Sequence, residues 1–165
     1  MKKQHAALIT QLEASANQVS AALKELSPAQ LQRVPAKGKW SLHQNLAHLR
    51  DTEAQVFAYR AARILRESAP PIVANFDQEA WMRAHYSPAE PVTAILAEFR
   101  AARRKLIKLL QSADNKAWTR YAVHPAYGKI SLAYIALHAY NHTLEHLQQL
   151  LDAQEENLLR AANDD

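Results

Sequence analysis

Apolar residues recur along this chain at steps of three and four over four long stretches. The first carries Ile9, Leu12, Ala16, Val19, Leu23 and Leu26 on one helical face, and Ser27-Pro28 ends it. The second begins after Lys37-Gly38-Lys39-Trp40 and places Leu42, Leu46, Leu49, Val56 and Ile64 on its seam. Ser41 and Gln44 have the spacing of a capping box at its start, and the helix is expected to run to about Ser68, before Pro70-Pro71. The third is expected to start at Ser87-Pro88, with Ser87 as cap and Pro88 in the first turn, and to bury Val92, Ile95, Phe99, Ala102, Leu106 and Leu109. The fourth, capped by Ser131, runs Leu132, Ile135, Ala139, His142, His146, Leu150, Ala153.

Between the second and third stretches, residues 69–87 read as a connection with a short helix near Gln78–Ala84. Another connection, Ser112 to Ile130, contains Trp118, His124-Pro125 and Tyr127-Gly128. Four helices with one apolar stripe each predict an all-α chain, a single four-helix bundle domain over residues 1–160, with a frayed tail at 161–165. The two long connections leave room for a crossover topology.

The fourth seam has a chemical peculiarity. Two of its seven positions are histidines, four residues apart. Side chains at that spacing stack on one face, so the imidazoles of His142 and His146 can reach one point. Imidazole nitrogens on a core-facing seam are costly unless something satisfies them, and a divalent metal does so. A third ligand is needed for a firm site. His48, between Leu46 and Leu49 on the margin of the second seam, is the best candidate. Asp51 lies one turn further on, and Glu53 continues the Leu46–Leu49 step; either carboxylate could orient an imidazole or ligate.

Composition narrows the chemistry. Only two of 165 residues are glycine, against an average near 7 %, which suits a helical protein. There is no cysteine, so a metal site must use nitrogen and oxygen donors, and any thiolate must come from a small molecule. The formal charge of +4 is mild. Its main cluster, Arg100, Arg103, Arg104, Lys105 and Lys108, reads as the solvated back of the third helix. A nucleic-acid surface would call for more basic residues with exposed aromatics between them. No apolar run is long enough for a membrane span, and the start shows no signal-peptide core, so a cytoplasmic protein is expected.

The stretch Lys39-Trp40-Ser41-Leu42-His43-Gln44-Asn45-Leu46-Ala47-His48-Leu49 and the later His142-Thr143-Leu144-Glu145-His146-Leu147-Gln148-Gln149-Leu150 resemble the two signature regions of the DinB/YfiT-like family. The Gly128-x2-Ser131-Leu132 entry to the last helix is also similar. The family shares only its name with an unrelated DNA polymerase. The resemblance implies an up-down-down-up four-helix bundle and a homodimer. It implies a metal triad of His48, His142 and His146, holding zinc, nickel or a similar divalent ion. It also implies chemistry of the thiol-transferase kind, with a low-molecular-weight thiol as cofactor.

Among the remaining histidines, His138 is one turn before His142 but displaced from the seam, and reads as a residue beside the site rather than a fourth ligand. His43 points to another face and is expected at the surface. His5 and His85 have no spacing argument, while His124 could sit near a pocket mouth. Trp40, Trp81 and Trp118 read as core and junction anchors, and Tyr134 and Tyr140 as packing.

Three neutral imidazoles leave a divalent ion its full charge and an open position, so two chemistries are open: hydrolysis, and attack by a bound thiolate. The expected function is therefore a divalent-metal-dependent thiol S-transferase or hydrolase acting on a small molecule. The competing reading is a non-catalytic helical bundle, with or without metal, that binds a partner or senses. Since ligation needs neutral rings, metal affinity is expected to fall as pH drops through about 6.5.

Overall fold

The computed structural model describes residues 1–163, without the side chains at 157 and 160–163. The frayed tail expected over 161–165 therefore lies, beyond residue 163, outside the described residues.

In chain order the elements are α1 (Lys3–Lys24), α2 (Pro28–Gln32), α3 (Leu42–Thr52), a π-helical segment (Glu53–Ala58), α4 (Tyr59–Arg66), α5 (Gln78–His85) and α6 (Val92–Ser112). After a 3₁₀ turn at Ala117–Thr119 come β1 (Tyr121–His124), β2 (Gly128–Ser131) and α7 (Leu132–Asn163). The stretch from α3 through α4 runs without a break, so the four long helices of the sequence pattern are α1, α3–α4, α6 and α7.

Cross-helix contacts fix their directions. Ala22 of α1 accepts from Gln154 of α7, while Leu12 and Thr143 both bond to Arg103, so α1 and α7 run together. Arg50 meets Glu90 and Glu98 while Glu53 meets Arg103, so α3 and α6 run together. His48 meets His142, and Phe57 further along meets His138, so α3 opposes α7. The course is up-down-down-up, and the long connection over 67–91 returns the chain between the two parallel helices.

The first, second and fourth seams form most of the core, while on the third Ile95, Phe99 and Leu106 are buried but Val92, Ala102 and Leu109 are only partly so, and Arg103 and Leu110 turn inward. Ile9, Leu12, Ala16, Val19, Leu23 and Leu26 are all buried, as are Leu46, Leu49, Val56 and Ile64, and Leu132, Ile135, Ala139 and Leu150. The core divides in two along the bundle axis, one cluster around Leu106, Trp118 and Ile135, the other around Leu46, Phe99 and Leu150. On α7 His142 falls between the two clusters, while His48 and His146 sit among residues of the second. Ser41 caps α3 in a full capping box with Gln44, and Ser131 accepts a hydrogen bond from the Tyr134 amide at the start of α7.

Several expectations need correction. The third long helix starts at Val92 with Pro91 as its cap residue, not at Ser87-Pro88; Ser87 instead closes a turn by accepting from the Glu90 amide. Arg103 is not on a solvated back: it is 2 % exposed and paired with Glu53. His43 is not at the surface. It is 1 % exposed and hydrogen-bonded through both ring nitrogens, to the Tyr86 hydroxyl (2.9 Å) and the Glu90 carbonyl (2.8 Å). The connection between α6 and α7 contains an antiparallel hairpin, β1 against β2, with Gly128 at φ 67° where the turn enters β2. Its alternation is carried by only two strands of four residues, Ala122 and His124 inward on one and Ile130 on the other, too short to compete with the helical pattern around it.

Candidate metal centre

His48 stands one helical turn before Thr52 on α3, and His142 and His146 stand one turn apart on α7. The capping box at Ser41 fixes where α3 starts, and therefore which face presents His48. The three rings converge. Nε2 of His142 lies 3.1 Å from Nε2 of His48 and 3.3 Å from Nε2 of His146, and ligand nitrogens of all three residues lie within 4.8 Å of one another. Two nitrogens on one tetrahedral ion, each 2.0–2.1 Å from it, stand roughly 3.3 Å apart. The spacing of the imidazoles thus fits a single small cation.

The outer nitrogens agree. His146 donates its Nδ1–H to Oε1 of Gln149 at 3.0 Å, which keeps the proton on that nitrogen and leaves the Nε2 lone pair facing the centre. Nδ1 of His48 lies 3.3 Å from the Thr52 hydroxyl. Nδ1 of His142 is buried without a hydrogen-bond partner. Two of the three rings are thus steered from behind, and the middle one is held by packing against the Phe57 ring, 5.7 Å away between centroids. Trp40 covers His48 at 5.2 Å.

The electrostatics keep the triad neutral. Burial, with the charge of His146 second, holds His48 well below the usual histidine range, at about 4. Burial, then the neighbouring His146, His48 and His138, and finally Arg103, take His142 down to about 2. Burial also lowers His146, although Gln149 and Glu145 oppose it. Unprotonated imidazoles at neutral pH are the ligating form.

The carboxylates do not join them. Both oxygens of Glu53 accept from Arg103, at 2.6 and 2.8 Å. Asp51 accepts from Arg50 at 2.8 Å. Neither belongs to the group of potential ligands, which among the described residues is His48, His142 and His146 alone. His138 is set back from the triad, its ring 6.5 Å from that of His142 and in contact with Phe57 and Tyr134. His124 is buried in the hairpin, where its Nδ1 accepts from the Ala126 amide. His5 stacks on Trp118 and His85 on Trp81, both away from the centre.

A cavity of about 600 Å³ opens beside the triad, between the loop leading into α3 and the second half of α7. Trp40 and Gln149, the neighbours of His48 and His146, line it together with Arg33, Leu42 and Asp152. A small recess bounded by Leu42, Asn45 and His146 lies against it.

Sequence reasoning missed three buried cations, Arg50, Arg60 and Arg103. Arg103 follows Phe99 by four and precedes Leu106 by three, so it continues the third seam as well as Ala102 does. Arg60 falls four residues after Val56 and four before Ile64, on the second seam, and is 9 % exposed. A cation at a seam position was the available signal.

Comparison with known proteins gives the family and supports the fold. Residues 11–150 match the DinB superfamily. YfiT from Bacillus subtilis, described as a probable metal-dependent hydrolase with an unusual four-helix bundle topology, superposes with a TM-score of 0.82 at 22 % identity over 94 % of this chain and 89 % of that one. TT2238, a four-helix bundle protein, gives 0.57 at 21 % identity over 90 % and 98 %. A DinB-like protein, YjoA of Bacillus subtilis, gives 0.58 at 13 % identity over 91 % of each chain. No curated protein sequence matches. At these identities the structural likeness bears on the fold.

Proposed function

The chain belongs to the DinB superfamily, and on that premise we propose that it is a divalent-metal-dependent enzyme whose ion is held by His48, His142 and His146. The observation that carries this reading is the convergence of three Nε2 atoms at 3.1 and 3.3 Å, with Asp51 and Glu53 bonded to Arg50 and Arg103 instead. A donor set of three neutral nitrogens suits zinc or nickel, and it leaves one position for a water or a substrate atom.

When bound, such an ion withdraws charge from a water or a thiol in that position and eases loss of its proton near neutral pH. The chain's own residues do the rest. Gln149 fixes the His146 tautomer, Thr52 backs His48, and Trp40 and Phe57 wall the rings from two sides. The cavity lined by Trp40 and Gln149, the neighbours of His48 and His146, offers room for a small molecule beside the triad. Hydrolysis needs only water there and is the reading that the likeness to YfiT favours. Thiol transfer needs a low-molecular-weight thiol, because the chain has no cysteine.

The test is metal analysis of untagged protein, followed by assay of the zinc and nickel forms on ester and amide substrates, and on an electrophile with and without added thiols. One equivalent of metal with turnover in either assay supports the reading. Stoichiometric metal with no turnover in any assay favours a binding or sensing role. Absence of metal affinity rejects it.

A further inference from the structure

Arg60 on α4 is a cation without a counter-ion among the described residues. It is 9 % exposed, and its one hydrogen bond among them, at 2.7 Å, goes to the Ala74 carbonyl. Among the described residues no carboxylate pairs with it. The contrast with Arg103 is direct: that guanidinium meets Glu53, the Leu12 carbonyl, Ser15 and Thr143. A buried charge left with one carbonyl is costly, and a five-donor fork keeps most of its hydrogen-bonding capacity unused.

Its surroundings are imidazoles and tyrosine hydroxyls; the one carboxylate among the described residues whose charge reaches this region, Glu145, acts on His138 and forms no ion pair with Arg60. His124, 2 % exposed, accepts from the Ala126 amide at Nδ1, which places its own proton on Nε2. The Tyr127 ring lies against it at 4.7 Å, and Tyr134 lies against His138 at 5.5 Å. The charge of Arg60 acts on His124 and on His138, so all these groups share one region. That region adjoins the triad. Phe57, one turn before Arg60, touches the rings of both His138 and His142, at 5.2 and 5.7 Å. Through Phe57, Arg60 stands one to two helical turns from the His142 ring, roughly 5–10 Å along the bundle, and twelve residues beyond His48 on the continuous α3–α4 stretch.

We propose that Arg60 anchors a carboxylate or comparable anionic group of the substrate, whose reacting end lies at His48, His142 and His146. This inference rests on the metal-enzyme reading above for where the reacting end sits. It makes Arg60 a specificity residue, selecting small molecules that carry an anion three to five bonds from the group that meets the ion. Such a ligand fills the guanidinium fork and supplies the missing countercharge.

The test uses the full chain loaded with cobalt(II), whose visible spectrum reports a ligand entering the triad. The probes are 3-mercaptopropionate and its uncharged amide. The wild type should bind the acid about tenfold to a hundredfold more tightly than the amide, the range of a charge-assisted pair. In Arg60→Gln that preference should shrink to within about twofold of unity while amide affinity is kept. Equal preference in wild type and Arg60→Gln, or no preference in the wild type, overturns the assignment. Should Arg60→Gln fail to fold, Arg60→Lys replaces it: at least a threefold drop in preference supports the assignment and an unchanged one overturns it. If cobalt does not enter the triad, the metal reading fails by itself. The anion site is then read from the melting temperature of ion-free protein with inorganic phosphate. A rise that Arg60→Gln abolishes supports the site, and an equal rise in both, or none, overturns it.

Discussion

Arg103 and Glu53 meet through two parallel hydrogen bonds of 2.6 and 2.8 Å, at sites 2 % and 0 % exposed, immediately behind the helix turn that carries His142. The remaining donors of Arg103 reach the Leu12 carbonyl, Ser15 and the Thr143 hydroxyl, and Thr143 in turn donates to the Ala139 carbonyl. One guanidinium thus joins α1, the π-helical segment, α6 and α7.

Removing one partner strands the other charge in the core. Glu53→Gln should cost roughly 3–5 kcal/mol of unfolding free energy. Replacing both, as in Glu53→Leu with Arg103→Met, should cost less than the sum of the single changes. Chemical denaturation of the four proteins gives the coupling directly, and strict additivity would rule out the pair as a unit.

His142→Ala should remove most bound metal and leave the helical circular dichroism nearly unchanged. His142 is the ring closest to both others, while the fold rests on apolar seams on either side of it. A variant that still carries one equivalent of ion would show that the ligands are assigned wrongly.

Gln149 acts on the triad through His146. With the amide gone, as in Gln149→Ala, the imidazole loses the acceptor that fixes its tautomer, and metal affinity should drop about tenfold to a hundredfold. Competition with a chromophoric chelator measures it. Gln149→Glu, which keeps an acceptor at that place, should retain most of the affinity.

The pH dependence follows from neutral rings. His48 at about 4 and His142 at about 2 stay unprotonated in the folded chain where the unfolded chain, near 6.5, takes up protons. The unfolded state then binds more protons, so stability of the ion-free protein falls as pH drops below about 6.5 and continues to fall toward 4. Each such histidine contributes about 1 kcal/mol per pH unit. Denaturant midpoints between pH 7 and 4.5 should show this slope, and His48→Ala should flatten it. Metal affinity should accordingly hold through pH 6, not decline from 6.5 as free-histidine behaviour suggests, because folding has already removed the competing proton. Titrations at pH 7 and 6 that differ by more than a few-fold would contradict this.

What the sequence made legible was whatever repeats along one helix. The seams, the Ser41–Gln44 box and the His142–His146 pair are all local spacings. His48 was reachable as a polar residue at a seam margin. The pairing of Glu53 with Arg103 was not, because it joins two helices 50 positions apart. His43 was misplaced for the same reason: both its partners come from 43 and 47 residues further on. The π-helical segment and the hairpin have no distinct local pattern, since the first sits inside a helical stretch and the second has strands of only four residues. Arg60 and Arg103 were visible as cations on seams but were passed over in favour of the apolar positions beside them.

His48 and His142 are 94 residues apart in the chain, and two of the three rings belong to the last helix. During synthesis the first imidazole is therefore made well before its two partners, and α1, α3 and α6 are available to dock before the triad can form. A nascent chain ending before residue 142 would keep a single ring of it. The three-nitrogen cluster thus exists only once the fourth long helix has joined the bundle.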